Sequence, residues 1–297
     1  MMNLDETLKV TPLTAETGAL IESIDLNDGL TGAQFEAIHE NLLKYKVIFF
    51  RGQRNLTNAQ QERLAAMFGE LFTLPEENTV STIIHARDRF SENGQKYARN
   101  DKRYRNDVWH VDRIYRANFP KIAVLYAAKV PKYGGDTLWA NTEHAYRTLP
   151  EPLQVLAENL RVRHSDAPYQ SAVDGPYIHA AAKHEVIHPM VMVHPETRFK
   201  SLLLGNLARR IEGFSERDSL SLLTLFQGHV EAVDHTVRWS WRDGDVAIWD
   251  ARAAQHYAID DYGMGQRIMR RTLVCGDVPT GVDGVKSIQL PKPSSQI

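Results

Sequence analysis

Cysteine is almost missing from this chain. Cys275 is the only one in 297 residues, which excludes an intramolecular disulfide and a thiolate zinc cluster. An excess of positive charge is missing too. Thirty-five lysines and arginines face 37 aspartates and glutamates, a net charge of -2, which argues against bulk affinity for nucleic acid. No apolar run approaches the ~20 residues of a membrane span. The first residues, Met1 to Glu6, lack the basic and apolar regions of a secretion signal. The expectation is a cytoplasmic protein with a small-molecule substrate and neither a nucleic-acid nor a membrane partner. A Gly-x-Ser-x-Gly elbow is absent, and Gly134-Gly135 is too short for a phosphate loop; it reads as a tight turn into a strand. Repeats, low-complexity segments and Pro/Gly/Ser linkers are lacking as well, so residues 1–297 read as one elaborated domain. Histidine, by contrast, is plentiful at twelve residues, and a soluble enzyme can place two or three of them on a metal.

Two helices are predicted near the start. Thr31 with Gln34 forms a capping box before Phe35, Ile38 and Leu42, and Thr57 with Gln60 repeats it before Leu64, Met67 and Phe68, with Gly69 as the stop. Val47-Ile48-Phe49-Phe50 between them is a buried strand. Residues 76–106 are polar and mixed in charge, a lid-like insertion. Strand-like runs follow at Ile122–Val130, Thr137–Ala140, Val191–Val193, Lys200–Leu204, Val237–Trp241, Asp245–Trp249 and Arg267–Cys275, with one further helix from about Ser215 to Val230. Many short strands, few helices and no βαβ rhythm predict a mainly β fold with flanking helices (α+β), closed or double-sheeted. Cys275 reads as an inert core thiol at the end of the last strand, and Trp239, Trp241 and Trp249 as core residues.

Three residues carry the chemistry. His110 and Asp112 stand two apart in Trp109-His110-Val111-Asp112, so an extended strand turns both to one face. His256 offers a third ligand from a distant strand. Two histidines and one carboxylate on one side of an octahedral ion leave three positions open, the facial arrangement of non-haem Fe(II) oxygenases. Two positions suit a bidentate 2-oxo acid and the third suits dioxygen. His-x-Asp alone is a weak signal; its context strengthens it. Eleven residues after His256 comes Arg267-Ile268-Met269-Arg270-Arg271, where Arg267 and Arg271 share one strand face and Arg270 points away as a solvated charge on an edge strand. If His256 ends one strand and Arg267 begins its antiparallel neighbour, two guanidinium forks lie over the metal. His184 and His188 are four apart, but Pro189 and the strand-like run after Ile187 argue against helical presentation. His179, His184, His188 and His194 therefore read as loop and strand-end histidines.

With those residues in view, the chain resembles the taurine dioxygenase family of Fe(II)/2-oxoglutarate-dependent oxygenases, and within it the alkyl-sulfate dioxygenases. The similar stretches are Phe68-Gly69-Glu70, Trp109 to Asp112, Lys132 to Thr142, His194-Pro195-Glu196-Thr197, Gly244 to Asp250 and Gln255-His256-Tyr257-Ala258, spanning about residues 8–285. The resemblance implies a double-stranded β-helix (jelly-roll) core. It also implies iron ligands His110, Asp112 and His256, the catalytic set, and Thr137 with Arg267 on the distal carboxylate of 2-oxoglutarate. Arg271 would lie near the chelating end of that acid and the substrate's anionic group, and Asn106 would contact substrate. Dimers or tetramers are frequent in that family, although no residue pattern here marks an interface.

The chain departs from the taurine enzymes at the substrate side. Leu74, before Pro75-Glu76-Glu77, stands where they carry a sulfonate-binding histidine; it cannot donate a hydrogen bond, and two carboxylates repel an anion. Val111 lies inside the metal motif. Arg113 stands where they have a small apolar residue, either as a new anion contact or on the opposite strand face. The expected activity is hydroxylation of an aliphatic C–H in a small anionic organosulfate or sulfonate, with release of sulfate or sulfite. The alternatives are the same chemistry on a non-sulfur carboxylic acid or larger natural product, and a non-catalytic jelly-roll binding module.

Overall fold

Two β-sheets face each other across an aromatic core, and helices cover their outer surfaces. The computed structural model describes residues 8–73, 80–85, 108–167, 184–263 and 265–291, with the backbone alone for 80–85. In chain order the first elements are β1 (Lys9–Pro12), β2 (Ala19–Glu22), α1 (Gly32–Tyr45), β3 (Val47–Phe50), α2 (Asn58–Ala66), β4 (Val80–His85) and β5 (Ile122–Lys129). Then come β6 (Thr137–Asn141), α3 (Thr142–Thr148), α4 (Glu151–Glu158), β7 (Arg161–Ser165), β8 (Glu185–Pro189), β9 (Val191–Val193) and β10 (Lys200–Leu202). The last are β11 (Ala208–Ile211), α5 (Glu216–Val230), β12 (Thr236–Trp239), β13 (Val246–Asp250), β14 (Ala254–Ala258), β15 (Arg267–Val274) and β16 (Ile288–Gln289).

The larger sheet has the order β1-β2-β3-β13-β5-β15-β4, and β12-β6-β14 forms the smaller sheet opposite. Only β2 and β3 pair in parallel among the described strands. Strand alternation decides what each face buries. Val47, Phe49, Leu125, Ala247, Trp249 and Met269 point inward from the large sheet and meet Trp139, Val237, Trp239 and Ala254 from the small one. Phe49 stacks on Trp239 at 4.1 Å and meets the edge of Trp139 at 5.2 Å. Ile48, Phe50, Val124 and Ile248 point outward onto Ile38 and Leu42 of α1 and Leu64 and Ala65 of α2. With both of its faces covered, β3 reads as an unbroken apolar run. On the far side, Ala145 of α3 and Phe226 and Val230 of α5 pack against Ala140 of the small sheet. The result is the mainly β, double-sheeted fold with flanking helices that the strand pattern predicts, consistent with the jelly-roll core that the resemblance implies.

The predicted helix starts have a local cause. Thr31 and Thr57 each accept from the backbone N–H of the glutamine three residues on, whose side chain returns to the threonine backbone. Ser215 caps α5 through the Asp218 N–H. Gly134 and Gly135 adopt φ of 69° and 73°, the left-handed conformations a tight turn into β6 requires.

Several expectations change. Helices α3 and α4 add to the three predicted; Asn141 caps α3, and Pro152 falls in the first turn of α4, where its missing N–H costs nothing. The stretch expected as a lid-like insertion at 76–106 lies largely outside the described residues, but it contains β4, which pairs with β15. That pairing puts β15 inside the sheet rather than at an edge. Arg270 is accordingly half-buried, over the ring of Tyr126 at 4.3 Å and hydrogen-bonded to Asn58 Oδ1 and the Leu56 carbonyl. The expected strand ending at His256 with its antiparallel neighbour beginning at Arg267 is not formed either, since β14 and β15 belong to opposite sheets. Cys275 lies one residue past β15 and is only partly buried. No helix among the described residues is long and apolar enough to cross a membrane.

Candidate active site

The small sheet and the chain before it meet at a main-chain bridge. His110 N–H donates to the His256 carbonyl and His256 N–H to the His110 carbonyl, both at 3.0 Å. This is one rung of antiparallel pairing, so the two imidazoles come to one side, with ring centres 4.0 Å apart. After that rung the chain turns; Arg113 has φ 55°, and the extended run expected over His110–Asp112 is a single bridge followed by a turn. Asp112 still closes on the pair. One ligand atom each from His110, Asp112 and His256 lies within 4.8 Å of the others, and all three residues are buried.

The polar atoms here are arranged for a cation. His110 Nδ1–H donates to the Val108 carbonyl at 2.7 Å, which leaves the lone pair on Nε2, and that atom is buried without a hydrogen-bond partner. His256 Nδ1 and Asp112 Oδ2 are also buried without one. Three such orphans in one place are costly unless something binds them. Burial keeps both imidazoles neutral by lowering their pKa values, that of His256 the more strongly. Burial opposes ionisation of Asp112, but Arg271, with His256 and His110 beside it, holds its carboxyl at about 2. Arg271 Nη1 donates to Asp112 Oδ1 at 2.6 Å. Neutral imidazoles and an ionised carboxylate are the forms that ligate a divalent ion.

A second cationic position lies on the same inner face. Arg267, Met269 and Arg271 alternate along β15, so the two guanidinium groups start about 13 Å apart at ~3.3 Å per residue. Met269 between them is in the inter-sheet core. Arg267 is 4% exposed and forms no salt bridge among the described residues. Its Nε donates to the Gly135 carbonyl at 3.2 Å and its Nη2 to Thr137 Oγ1 at 3.4 Å. Thr137 is two residues from Trp139, the cross-strand partner of His256, so Thr137 and His256 face the same inter-sheet space. Trp241 Nε1–H donates to Thr137 Oγ1 at 3.0 Å.

The structure thus gathers His110, Asp112, His256 and Arg271 into one cluster and Thr137 with Arg267 into a second on the same face. Val111 is buried within the inter-sheet core. Leu74 and Asn106, and with them two of the expected substrate contacts, lie outside the described residues, as does His179. The Val108 carbonyl, the Gly135 carbonyl and Trp241 Nε1 were not legible as partners, since main-chain acceptors carry no sequence signal and Trp241 reads as core. Three further histidines are engaged elsewhere. His188 donates to the Ile114 carbonyl and contacts Ser287 Oγ, both at 2.7 Å, and burial lowers its pKa to about 4. His184 pairs with Asp166, and His194 with Asp250. Trp249 rests against His256 with ring centres 4.8 Å apart, closing that side of the cluster to water.

The chain has relatives along nearly its whole length. The model of the taurine catabolism dioxygenase TauD, TfdA family matches residues 9–273. An alkylsulfatase of Acinetobacter baylyi is 40% identical over 98% of this chain and 93% of its own. An alpha-ketoglutarate-dependent sulfate ester dioxygenase of Pseudomonas putida is 41% identical over 93% of this chain and 92% of its own. Among solved structures, a taurine dioxygenase from Burkholderia xenovorans superposes with a TM-score of 0.79 at 31% identity, covering 96% of both chains. A fold shared with that structure and a family match over nearly the whole length lead to one assignment: the chain belongs to the TauD/TfdA dioxygenase family.

Proposed function

We propose that this 2-oxoglutarate-dependent dioxygenase hydroxylates an aliphatic C–H beside the sulfur-bearing group of a small organic sulfate ester or sulfonate. The observation that carries the reading is the cluster of buried, unpartnered polar atoms on His110, Asp112 and His256, with a buried guanidinium at Arg267 that forms no salt bridge among the described residues. His110, Asp112 and His256 would hold ferrous iron. When bound with 2-oxoglutarate, that ion supplies dioxygen activation coupled to oxidative decarboxylation, giving succinate and carbon dioxide. The chain's own residues orient and shield. The Val108 carbonyl fixes the His110 tautomer, and Arg271 occupies one oxygen of Asp112 so that the other is left for the ion. Trp249 and Trp139 exclude water from the floor of the site. Arg267 and Thr137 receive the distal carboxylate of the 2-oxo acid through a guanidinium fork and a hydroxyl. The two relatives named for sulfate esters support that choice of substrate.

Hydroxylation at the carbon bearing a sulfate ester gives an unstable adduct that collapses to an aldehyde and sulfate, so sulfate release reports where the oxygen went. Incubation with Fe(II), 2-oxoglutarate and a series of linear alkyl sulfates in air should yield succinate and sulfate in equal amounts. Succinate formed only with carboxylic acids, with no sulfate or sulfite from any organosulfur compound, would move the enzyme to a non-sulfur substrate.

The distal-carboxylate role predicts a separable defect. Arg267→Ala should raise the KM for 2-oxoglutarate by about 10–100-fold, the worth of a charge-assisted hydrogen-bond pair. Arg267→Lys should recover little of it, because an ammonium cannot reproduce the fork. An unchanged KM in steady-state succinate assays would remove Arg267 from the co-substrate site.

A further inference from the structure

Thr137 opens β6, and its hydroxyl is buried. An alcohol oxygen carries two lone pairs and one proton. Trp241 Nε1–H donates to this oxygen at 3.0 Å, and Arg267 Nη2–H donates to it at 3.4 Å. Indole and guanidinium nitrogens are donors only, so neither can receive the hydroxyl proton in return. No acceptor for that proton stands among the described residues. Both lone pairs are thus used and the proton is left over, in a buried place where an unmet donor is costly. The hydroxyl is committed to donate to whatever acceptor enters beside Arg267.

Of the two donors, Trp241 is the closer and the more firmly held. It follows two residues after Trp239, the cross-strand partner of Thr137, and its ring belongs to the inter-sheet core. There it meets Trp139, with ring centres 6.1 Å apart, and Trp139 is in turn the cross-strand partner of His256. Packing on the ring fixes where the indole N–H points, whereas a core role alone makes no use of that N–H. We infer that Trp241 is a positioning residue for the 2-oxo acid, whose indole N–H turns the Thr137 hydroxyl proton toward the distal carboxylate. The inference rests on the reading that Thr137 and Arg267 receive that carboxylate. A hydroxyl already turned loses less freedom when the acid binds. The pocket then presents only donors, a guanidinium and an oriented O–H, which suits an ionised carboxylate because that group only accepts.

The test is a double-mutant cycle on binding, read by anaerobic calorimetry of 2-oxoglutarate on the Mn(II)-loaded protein. Wild type, Trp241→Phe, Thr137→Val and the double variant make up the cycle. Thr137→Val should weaken binding about 10–100-fold, the worth of a hydrogen bond to a charged group. Trp241→Phe should weaken it about 3–10-fold in the wild-type background, but by less than about twofold in the Thr137→Val background, where no hydroxyl remains to be turned. Thr137→Ser keeps the hydroxyl, so it should bind close to wild type and respond to Trp241→Phe as wild type does. An equal loss on Trp241→Phe with and without the hydroxyl overturns the inference, because Trp241 then acts through packing alone. Wild-type affinity in Trp241→Phe overturns it too, while a weakened Thr137→Val leaves the distal-carboxylate reading standing. Wild-type affinity in Thr137→Val removes that reading itself, and the inference with it. Circular dichroism reads the fold, and if Trp241→Phe does not fold, Trp241→Leu, which also lacks the N–H, takes its place in the cycle.

Discussion

Asp112→Asn is expected to abolish 2-oxoglutarate turnover while leaving the chain folded. The amide matches the carboxylate in shape, and its carbonyl oxygen can still accept from Arg271 Nη1, which donates to Asp112 Oδ1 at 2.6 Å in the native chain. What disappears is the negative charge that burial opposes and Arg271 sustains. Neighbours that merely orient a ligand are worth roughly 10–100-fold in metal affinity, so loss of a charged ligand should exceed that range. His256→Ala should behave alike, because the paired hydrogen bonds between residues 110 and 256 are main-chain and survive loss of the imidazole. Equilibrium dialysis against Co(II) or Mn(II) reads the affinity without any turnover, and circular dichroism reads the fold. Tight metal binding by both variants would remove this cluster as the ion site.

The second large effect is on stability. Asp250 is fully buried, with Oδ1 accepting from Arg252 Nε at 2.8 Å and Oδ2 from Arg252 Nη2 at 2.6 Å and His194 Nε2 at 2.9 Å. His194 Nδ1 accepts from the N–H groups of Glu196 and Thr197, which places the imidazole proton on Nε2, facing the carboxylate. Arg252 also reaches Glu196 at 2.6 Å, and Glu196 meets His39 of α1 at 2.8 Å. This network ties α1 and the 194–199 loop to the turn between β13 and β14. Asp250→Ala strips a buried guanidinium of its bidentate partner and leaves it Glu196 alone; breaking a buried pair costs up to about 3–5 kcal/mol. The midpoint of urea unfolding at pH 7 should fall accordingly, and an unchanged midpoint would mean that the network is replaceable.

The same residue has a pH signature. Burial works against ionisation of Asp250, yet Arg252 and His194 hold its pKa far below the ordinary carboxylate range. A depressed native pKa contributes stability that is complete above the unfolded value of about 3.9 and is lost as pH falls below it. Wild type should therefore lose stability more steeply between about pH 4 and 2 than Asp250→Asn, which has no carboxyl to protonate. Parallel curves would assign the acid sensitivity to other carboxylates, such as Glu196, whose pKa the bond from His39, against burial and with Arg252, holds at about 2.

Local signals in the sequence proved reliable where the physics is local. The capping boxes at Thr31 and Thr57 and the turn at Gly134-Gly135 depend on residues within three positions of each other. The residues that cluster at the candidate site were legible as well, because His110 and Asp112 stand two apart and few side-chain types can serve a metal. What the sequence could not show was pairing over long separations. That β14 and β15 lie in opposite sheets, that β4 covers β15 and that Arg270 is therefore half-buried follow from strand order, which no short window encodes. Pro150 and Pro152 concealed α4, because proline near a helix start looks like a turn until the following residues are seen to be helical. The left-handed turn at Arg113 was not legible from alternation, which assumes an unbroken strand.

The way the three ligands are attached also bears on how such a centre can change over generations. The two histidines are joined to each other through the main chain, at positions 146 residues apart, whereas the carboxylate hangs from a turn after that rung. A point mutation at position 112 can therefore exchange or delete the acidic ligand without disturbing the imidazole pair. In backbone terms the site has two unlike attachments: a rung that holds positions 110 and 256 together whatever their side chains, and a turn that presents position 112 by itself.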